Sequence, residues 1–181
     1  QRSLKENDAG LTFTKSELMN CEFEESFDNS NKWIIASGPD NEPKITQNAS
    51  FVNLYRSAMA NYSYITRKDF LAPTTNFTYG FRAKLNSTGK TEITVRSGEY
   101  LIMIILNLNG DKTGSVSNAY IDPADSTKLD TSVWHDYKVV VKKSANNQYT
   151  YDLYVDGKLL WENTSTNPLG VNKSSMFKIG I

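Results

Sequence analysis

From residue 76 onward, apolar and polar side chains alternate with a period of two. Phe77, Tyr79, Phe81, Ala83 and Leu85 fall on one side of an extended chain, and Thr78, Gly80, Arg82 and Lys84 on the other. That spacing predicts a β-strand over 76–86 with one dry face and one wet face. The same alternation recurs over Glu92 to Arg96 after a turn at Thr88-Gly89. It is clearest between Trp134 and Trp161, where Tyr137, Val139 and Val141, then Tyr149, Tyr151, Leu153 and Val155, form the dry sets. Asp156-Gly157 separates that second strand from Leu159-Leu160-Trp161, and Asp-Gly tolerates the positive φ angles of a two-residue hairpin turn.

Shorter strands are predicted at Glu22 to Phe27, Lys32 to Ile35, Phe51 to Tyr55, Tyr62 to Arg67, Ser115 to Ile121 and Met176 to Ile181, with Gly, Pro, Asn and Asp at the breaks. Leu101 to Leu108 opens with six consecutive apolar residues and reads as a strand buried on both faces. Six residues fall far short of the roughly 20 that a bilayer-spanning helix needs. The sum is an all-β, two-sheet antiparallel sandwich of the jelly-roll kind, with no helix longer than two turns. Residues 1–20 read as a polar leader or an extra edge segment, and 21–181 as a single domain.

Composition narrows the function. The 181 residues carry 20 basic and 20 acidic side chains, a formal net charge of zero, so bulk charge favours neither nucleic acid nor a membrane surface. The lone Cys21 excludes an intrachain disulfide framework, and one cysteine with one histidine cannot build a zinc site. No glycine loop of the phosphate-cradling type occurs. Asn-X-Ser/Thr sequons begin at Asn48, Asn61, Asn76, Asn86, Asn163 and Asn172, only modestly more than so much Asn, Ser and Thr gives by chance.

Trp134-His135-Asp136-Tyr137, the strand Val139-Val140-Val141 and the run Tyr151-Asp152-Leu153-Tyr154-Val155-Asp156-Gly157 together resemble the concanavalin A-like lectin/glucanase superfamily, in particular its laminin-G-like jelly-roll branch. Phe77 to Leu85 is similar to a central strand of that group. The resemblance spans 21–181 and implies the sandwich fold. It also implies a final strand with an aromatic-X-Asp-aromatic pattern, which this sequence lacks; Leu11 to Leu18 could supply the missing pairing. Related domains often bind a structural calcium near the N-terminal strand, which makes Asp28 the candidate metal ligand and calcium the possible cofactor. Function is read less directly, because sites are grafted onto this fold in many ways.

The residues bear on three chemistries. Glycoside hydrolysis in the superfamily needs paired carboxylates, and Glu22-Phe23-Glu24-Glu25-Ser26-Phe27-Asp28 is the nearest approach to such a strand. Lyases of this fold use Tyr or His as base, and His135 is the single histidine, at a position where the family has a turn and packing element. Oxygen-rich turns at Asn107, Asn109 and Asp111, or Asp122 with Asp125, suit calcium but also suit ordinary turns.

Sugar binding needs only an aromatic platform and hydrogen-bonding side chains. The wet face beside Arg82 offers Glu92 and Arg96 on the next strand, Tyr154 on the hairpin, and Tyr64 with Arg67. Paired arginines on one face would suit an acidic sugar; a plain cross-strand charge ladder is the alternative. The expectation is a non-catalytic carbohydrate-binding, lectin-like domain, secreted, periplasmic or at the cell surface. Its partner would be a polysaccharide or glycan, alongside other domains of a longer chain. The alternatives are a glycoside hydrolase or polysaccharide lyase with an unrecognised site, and a protein-interaction or adhesion module.

Overall fold

The computed structural model describes residues 72–118, 126–167 and 175–180 in full, together with five earlier strands as backbone. The strands are β1 (Leu11–Thr14), β2 (Trp33–Ser37), β3 (Lys44–Asn48), β4 (Phe51–Tyr55), β5 (Ser63–Arg67), β6 (Phe77–Leu85) and β7 (Gly89–Arg96). There follow β8 (Leu101–Leu108), β9 (Gly114–Asn118), β10 (Thr127–Lys128), β11 (His135–Lys143), β12 (Tyr149–Val155), β13 (Lys158–Ser165) and β14 (Met176–Gly180). They pair antiparallel throughout into two seven-stranded sheets: sheet A in the order β13-β12-β11-β6-β1-β4-β3 and sheet B in the order β10-β9-β8-β7-β14-β5-β2. The architecture is the two-sheet antiparallel jelly-roll sandwich that the alternation predicts. Among the described residues there is no helix, and none that is long and apolar enough to cross a membrane.

The dry sets meet between the sheets. Phe81, Ala83, Tyr137, Val139, Tyr151 and Leu153 of sheet A face Ile93, Val95, Ile102, Ile104, Leu106 and Ile179 of sheet B, all 5% exposed or less. Burying each of the larger side chains contributes roughly 1.5–3 kcal/mol, so this layer drives the fold. Phe81 stacks on Tyr137 with centroids 4.9 Å apart. The tyrosines bring hydroxyls into the interior, and Tyr151 Oη accepts from Asn118 Nδ2 at 2.7 Å, bridging the sheets. At one end, the Tyr149 hydroxyl donates to the Glu99 carboxylate and lies 2.9 Å from Thr74 O, while Tyr100 donates to Pro73 O at 2.8 Å. Tyr100 and Tyr149 pack with ring centroids 4.6 Å apart.

Thr131, fully buried, joins the sheets at the other side. Its carbonyl accepts from Leu85 N in sheet A, and its hydroxyl donates to Asn107 O in sheet B at 2.7 Å. Gly114 lies against this seam, where Leu129 N donates to Gly114 O. The hairpin at Asp156-Gly157 has φ of 49° and 78°, the two positive angles that a type I′ turn requires.

Two expectations are corrected. Leu11–Thr14 is an interior strand, paired with β6 on one side and β4 on the other, not an edge or a leader. β8 is not buried on both faces. Ile102, Ile104, Leu106 and Leu108 enter the core, but Met103, Ile105 and Asn107 are half-buried on the outer side. Six apolar residues in a row hide an alternation, because an outer sheet face accepts half-covered methionine and isoleucine. The predicted strand Glu22 to Phe27, with Asp28, lies outside the described residues, as do Asp122 and Asp125. The sequence reading did not anticipate β3 or β10.

Candidate functional site

The outer face of sheet B is built by β5, β14, β7 and β8. In β7, Ile93 and Val95 point into the core, so Glu92, Thr94 and Arg96 point out at steps of about 7 Å. Register aligns Lys178 of β14 with Thr94, Met176 with Arg96, and Gly180 with Glu92. On the far side of β14, Thr66 is opposite Lys178 and Tyr64 is opposite Gly180. Gly180 has φ 150° and no side chain, which leaves a gap in the row between Glu92 and the Tyr64 position. Lys178 Nζ reaches Glu92 Oε2 at 3.2 Å. The Thr66 hydroxyl donates to Phe177 O at 2.9 Å.

The centre of this face is unusual. Thr94 is 1% exposed although it points away from the core, and its hydroxyl has no hydrogen-bond partner among the described residues. Glu92, Arg96, Met103 and Lys178, all half-buried, surround it. A buried unpaired hydroxyl costs about 1–3 kcal/mol, so the protein keeps a polar group here at a loss. Glu92 is the one carboxylate on the described outward positions of β7, β8, β9 and β14.

The outer face of sheet A is organised differently. Arg82 and Lys84 on β6 each lie 5.5 Å from the Trp134 ring, and Lys138 on β11 lies 4.4 Å above Tyr154 on β12. Arg82 approaches Asp136 only at 3.7 Å, too long for a hydrogen bond, and its Nε is buried without a partner. Lys142 is neutralised by Asp152 at 2.6 Å, a carboxylate that also accepts from Asn163 N at 2.9 Å.

His135 is locked between elements. Nδ1 is 2.7 Å from Asp156 Oδ2, Nε2 is 2.9 Å from Asp130 O, and the side chain is 12% exposed. Both ring nitrogens are turned toward the protein's own oxygens, so neither is presented to a substrate as a general base would be. Burial raises the Asp156 carboxyl, but the Asp136 N–H at 2.9 Å, His135 and the charge of Arg82 outweigh it and hold the group below its ordinary value.

The predicted site therefore divides. Glu92 and Arg96 share the outer face of sheet B, with Tyr64 aligned to the same row by register. Arg82 and Tyr154 are on the outer face of sheet A. Arg67, three residues from Tyr64, is paired in register with Trp33 of β2. The arginine pair Arg82–Arg96 is not formed, and neither is an Arg82–Glu92–Arg96 ladder, because the chain crosses from sheet A to sheet B at the Thr88-Gly89 turn. Lys178 was missed: its alternation with Phe177 and Ile179 marked it as outward, but nothing in the sequence named Glu92 as its partner.

The oxygens of Asn107, Asn109 and Asp111 are not turned toward a cation. Asn107 Nδ2 donates to Asn109 Oδ1 at 2.9 Å, and Asp111 Oδ1 accepts from Thr113 N at 3.0 Å and from its hydroxyl at 2.6 Å. Among the described residues no group of three or more His, Cys, Asp or Glu could hold a metal ion. Asp28, the candidate calcium ligand, lies outside them.

No protein-family model and no curated protein matches the chain. Among solved structures it is similar to the carbohydrate recognition domain of Emp46p in its metal-free form, with 12% identity, a TM-score of 0.50, and coverage of 88% of this chain and 84% of that one. At that identity the likeness speaks for the fold alone, a two-sheet antiparallel sandwich.

Proposed function

We propose that the protein is a non-catalytic, lectin-like module that binds a glycan on the outer face of sheet B. Glu92, Arg96 and Lys178 supply the hydrogen bonds, with Tyr64 at the adjoining register position. The observation that carries this reading is the half-buried row of Glu92, Lys178 and Arg96 on a face turned away from the core. A polyhydroxylated ligand exchanges hydrogen bonds with charged donors and acceptors set out in this way. The Glu92–Lys178 pair adds a matched donor and acceptor. The resemblance in fold to a domain named for carbohydrate recognition supports the same reading, as do the sequence motifs shared with the laminin-G-like branch. A secreted or surface location, where polysaccharides are met, belongs to this proposal.

Hydrolysis is disfavoured on this face, because it needs two carboxyl groups and the described outward positions provide Glu92 alone. The test is a glycan array followed by calorimetric titration. Arg96→Ala and Glu92→Ala are each expected to weaken binding about tenfold, the loss of one charge-assisted hydrogen bond. Flat responses across neutral and acidic glycans, or variants that bind like the parent, would reject the proposal.

A further inference from the structure

We propose that His135 is a pH-sensitive clasp at the crossing between the two sheets: carrying both ring protons it holds the segment around Asp130 against the β12–β13 turn, and on losing one it lets that segment go. Residues 129–134 lead the chain from β10 of sheet B to β11 of sheet A. His135 Nδ1 is 2.7 Å from Asp156 Oδ2, and Nε2 is 2.9 Å from the Asp130 carbonyl oxygen. A carbonyl oxygen only accepts, and so does an ionised carboxylate. Burial raises the Asp156 carboxyl, but the Asp136 N–H, His135 and the charge of Arg82 hold it below its ordinary value, so it is ionised at neutral pH. A neutral imidazole has one N–H and one lone pair. It satisfies one of the two acceptors and turns its lone pair on the other. The ring that fits both is the imidazolium.

The charges around the ring favour that form. Among the described residues, Asp156 faces it from the turn, Asp130 and Asp136 flank it along the chain, and Arg82 approaches from β6, drawn toward Asp136 at 3.7 Å. Three carboxylates thus stand against one guanidinium. The Asp130 carboxylate is engaged by Ser132, Tyr137 meets the imidazole edge-on at 6.1 Å, and Lys84 of β6 lies against Trp134 instead. The other partner of Asp130 O, Val133 N, is 3.4 Å away, so His135 makes its short bond. The next residue, Thr131, is the seam between the sheets: its carbonyl accepts from Leu85 N at 2.8 Å, and its hydroxyl donates to Asn107 O at 2.7 Å. A neutral ring keeps its N–H on the carboxylate, the stronger acceptor. Its lone pair then opposes Asp130 O, one residue from the seam. The folded form takes up the proton, so the clasp is complete at low pH and is lost as pH rises through the ring's titration. Asp156 acts in the opposite sense, its hold on the ring fading on acidification, so the clasp is tightest between the two titrations.

His135 is the only histidine of the chain, so nitrogen NMR of the labelled protein reads this ring without ambiguity. In a titration from about pH 5 to about pH 9, both ring nitrogens should read as N–H donors at the acid end, and Nε2 should be the one to lose its proton. Hydrogen exchange is followed on the same samples at the Leu85 amide, which donates to Thr131 O. Its protection factor should fall about tenfold over the interval in which the ring titrates, the loss of one charge-assisted hydrogen bond. The Ile93 amide, in the middle of sheet B between β14 and β8, should not follow. His135→Gln, which gains no proton, should hold Leu85 at the low protection of the alkaline parent at every pH. Asp156→Asn should move the loss of the ring proton to lower pH. Leu85 protection that ignores the ring's titration, a ring that stays neutral to the acid end, or an H135Q variant that keeps the pH dependence would overturn the proposal. If H135Q fails to fold, the parent titration and D156N decide it.

Discussion

The two outer faces come from the same alternation, yet they use their polar residues in opposite ways. On sheet B, charges are paired and half-sunken, Glu92 with Lys178, around a hydroxyl that has no partner. On sheet A, Arg82, Lys84 and Lys138 rest on aromatic rings. The difference teaches that an outward position is not automatically a solvated one. Sheet B buries a polar group at its centre, and sheet A covers its outer rings with cations.

The largest effect is expected where the two faces are joined. A Cβ on Gly114 would stand 2.5 Å from Thr131 N and closer still to Leu129 O, both backbone atoms that cannot rotate away. Gly114→Ala should cost about 3 kcal/mol, near the upper end for overpacking. Denaturant unfolding measures it; a cost under about 1 kcal/mol would mean that the seam is looser than described.

Next in size, Thr94→Val removes the unpaired hydroxyl and keeps the shape. It should raise stability by about 1 kcal/mol and leave glycan binding unchanged, because the hydroxyl is buried beneath the face and out of a ligand's reach. A variant that loses stability would contradict the reading of Thr94 as an unpaired group.

The acid response sharpens the sheet A side. The Asp156 carboxyl is held below its ordinary value, so its contribution is fully present above the unfolded carboxylate range and fades as pH falls through the lowered value. Asp156→Asn should cost about 1 kcal/mol at neutral pH, a modest figure because this carboxylate is half exposed and water screens it. The parent should lose its advantage over the variant on acidification, as thermal melts at several pH values would show. An advantage that grows toward low pH would contradict the geometry. Smallest of all, Glu92→Gln should change stability by less than about 1 kcal/mol, the usual limit for a part-exposed ion pair, so any larger change in glycan binding belongs to the site.

Much of this fold was legible in the sequence. The period-two runs placed Phe81, Tyr137, Val139, Tyr151 and Leu153 in the core, and Asp156-Gly157 fixed a turn, because both depend only on neighbours along the chain. Leu101 to Leu108 was read less well, since an unbroken apolar run masks its own alternation. The same rule told which residues point outward, including Glu92, Arg96, Arg82 and Tyr154. It could not tell which sheet each strand joins. Strand order rests on contacts between residues far apart in sequence: β6 beside β11 and β1, β7 beside β14, and the crossing between sheets at Gly89. That ordering separated Arg82 from Arg96, gave Lys178 to Glu92 and left Thr94 unpaired. By itself, then, the sequence determined the alternating strands and the sandwich they require. The tertiary structure alone decided which polar groups meet, because partnership across a sheet is set by hydrogen-bonded register and not by distance along the chain.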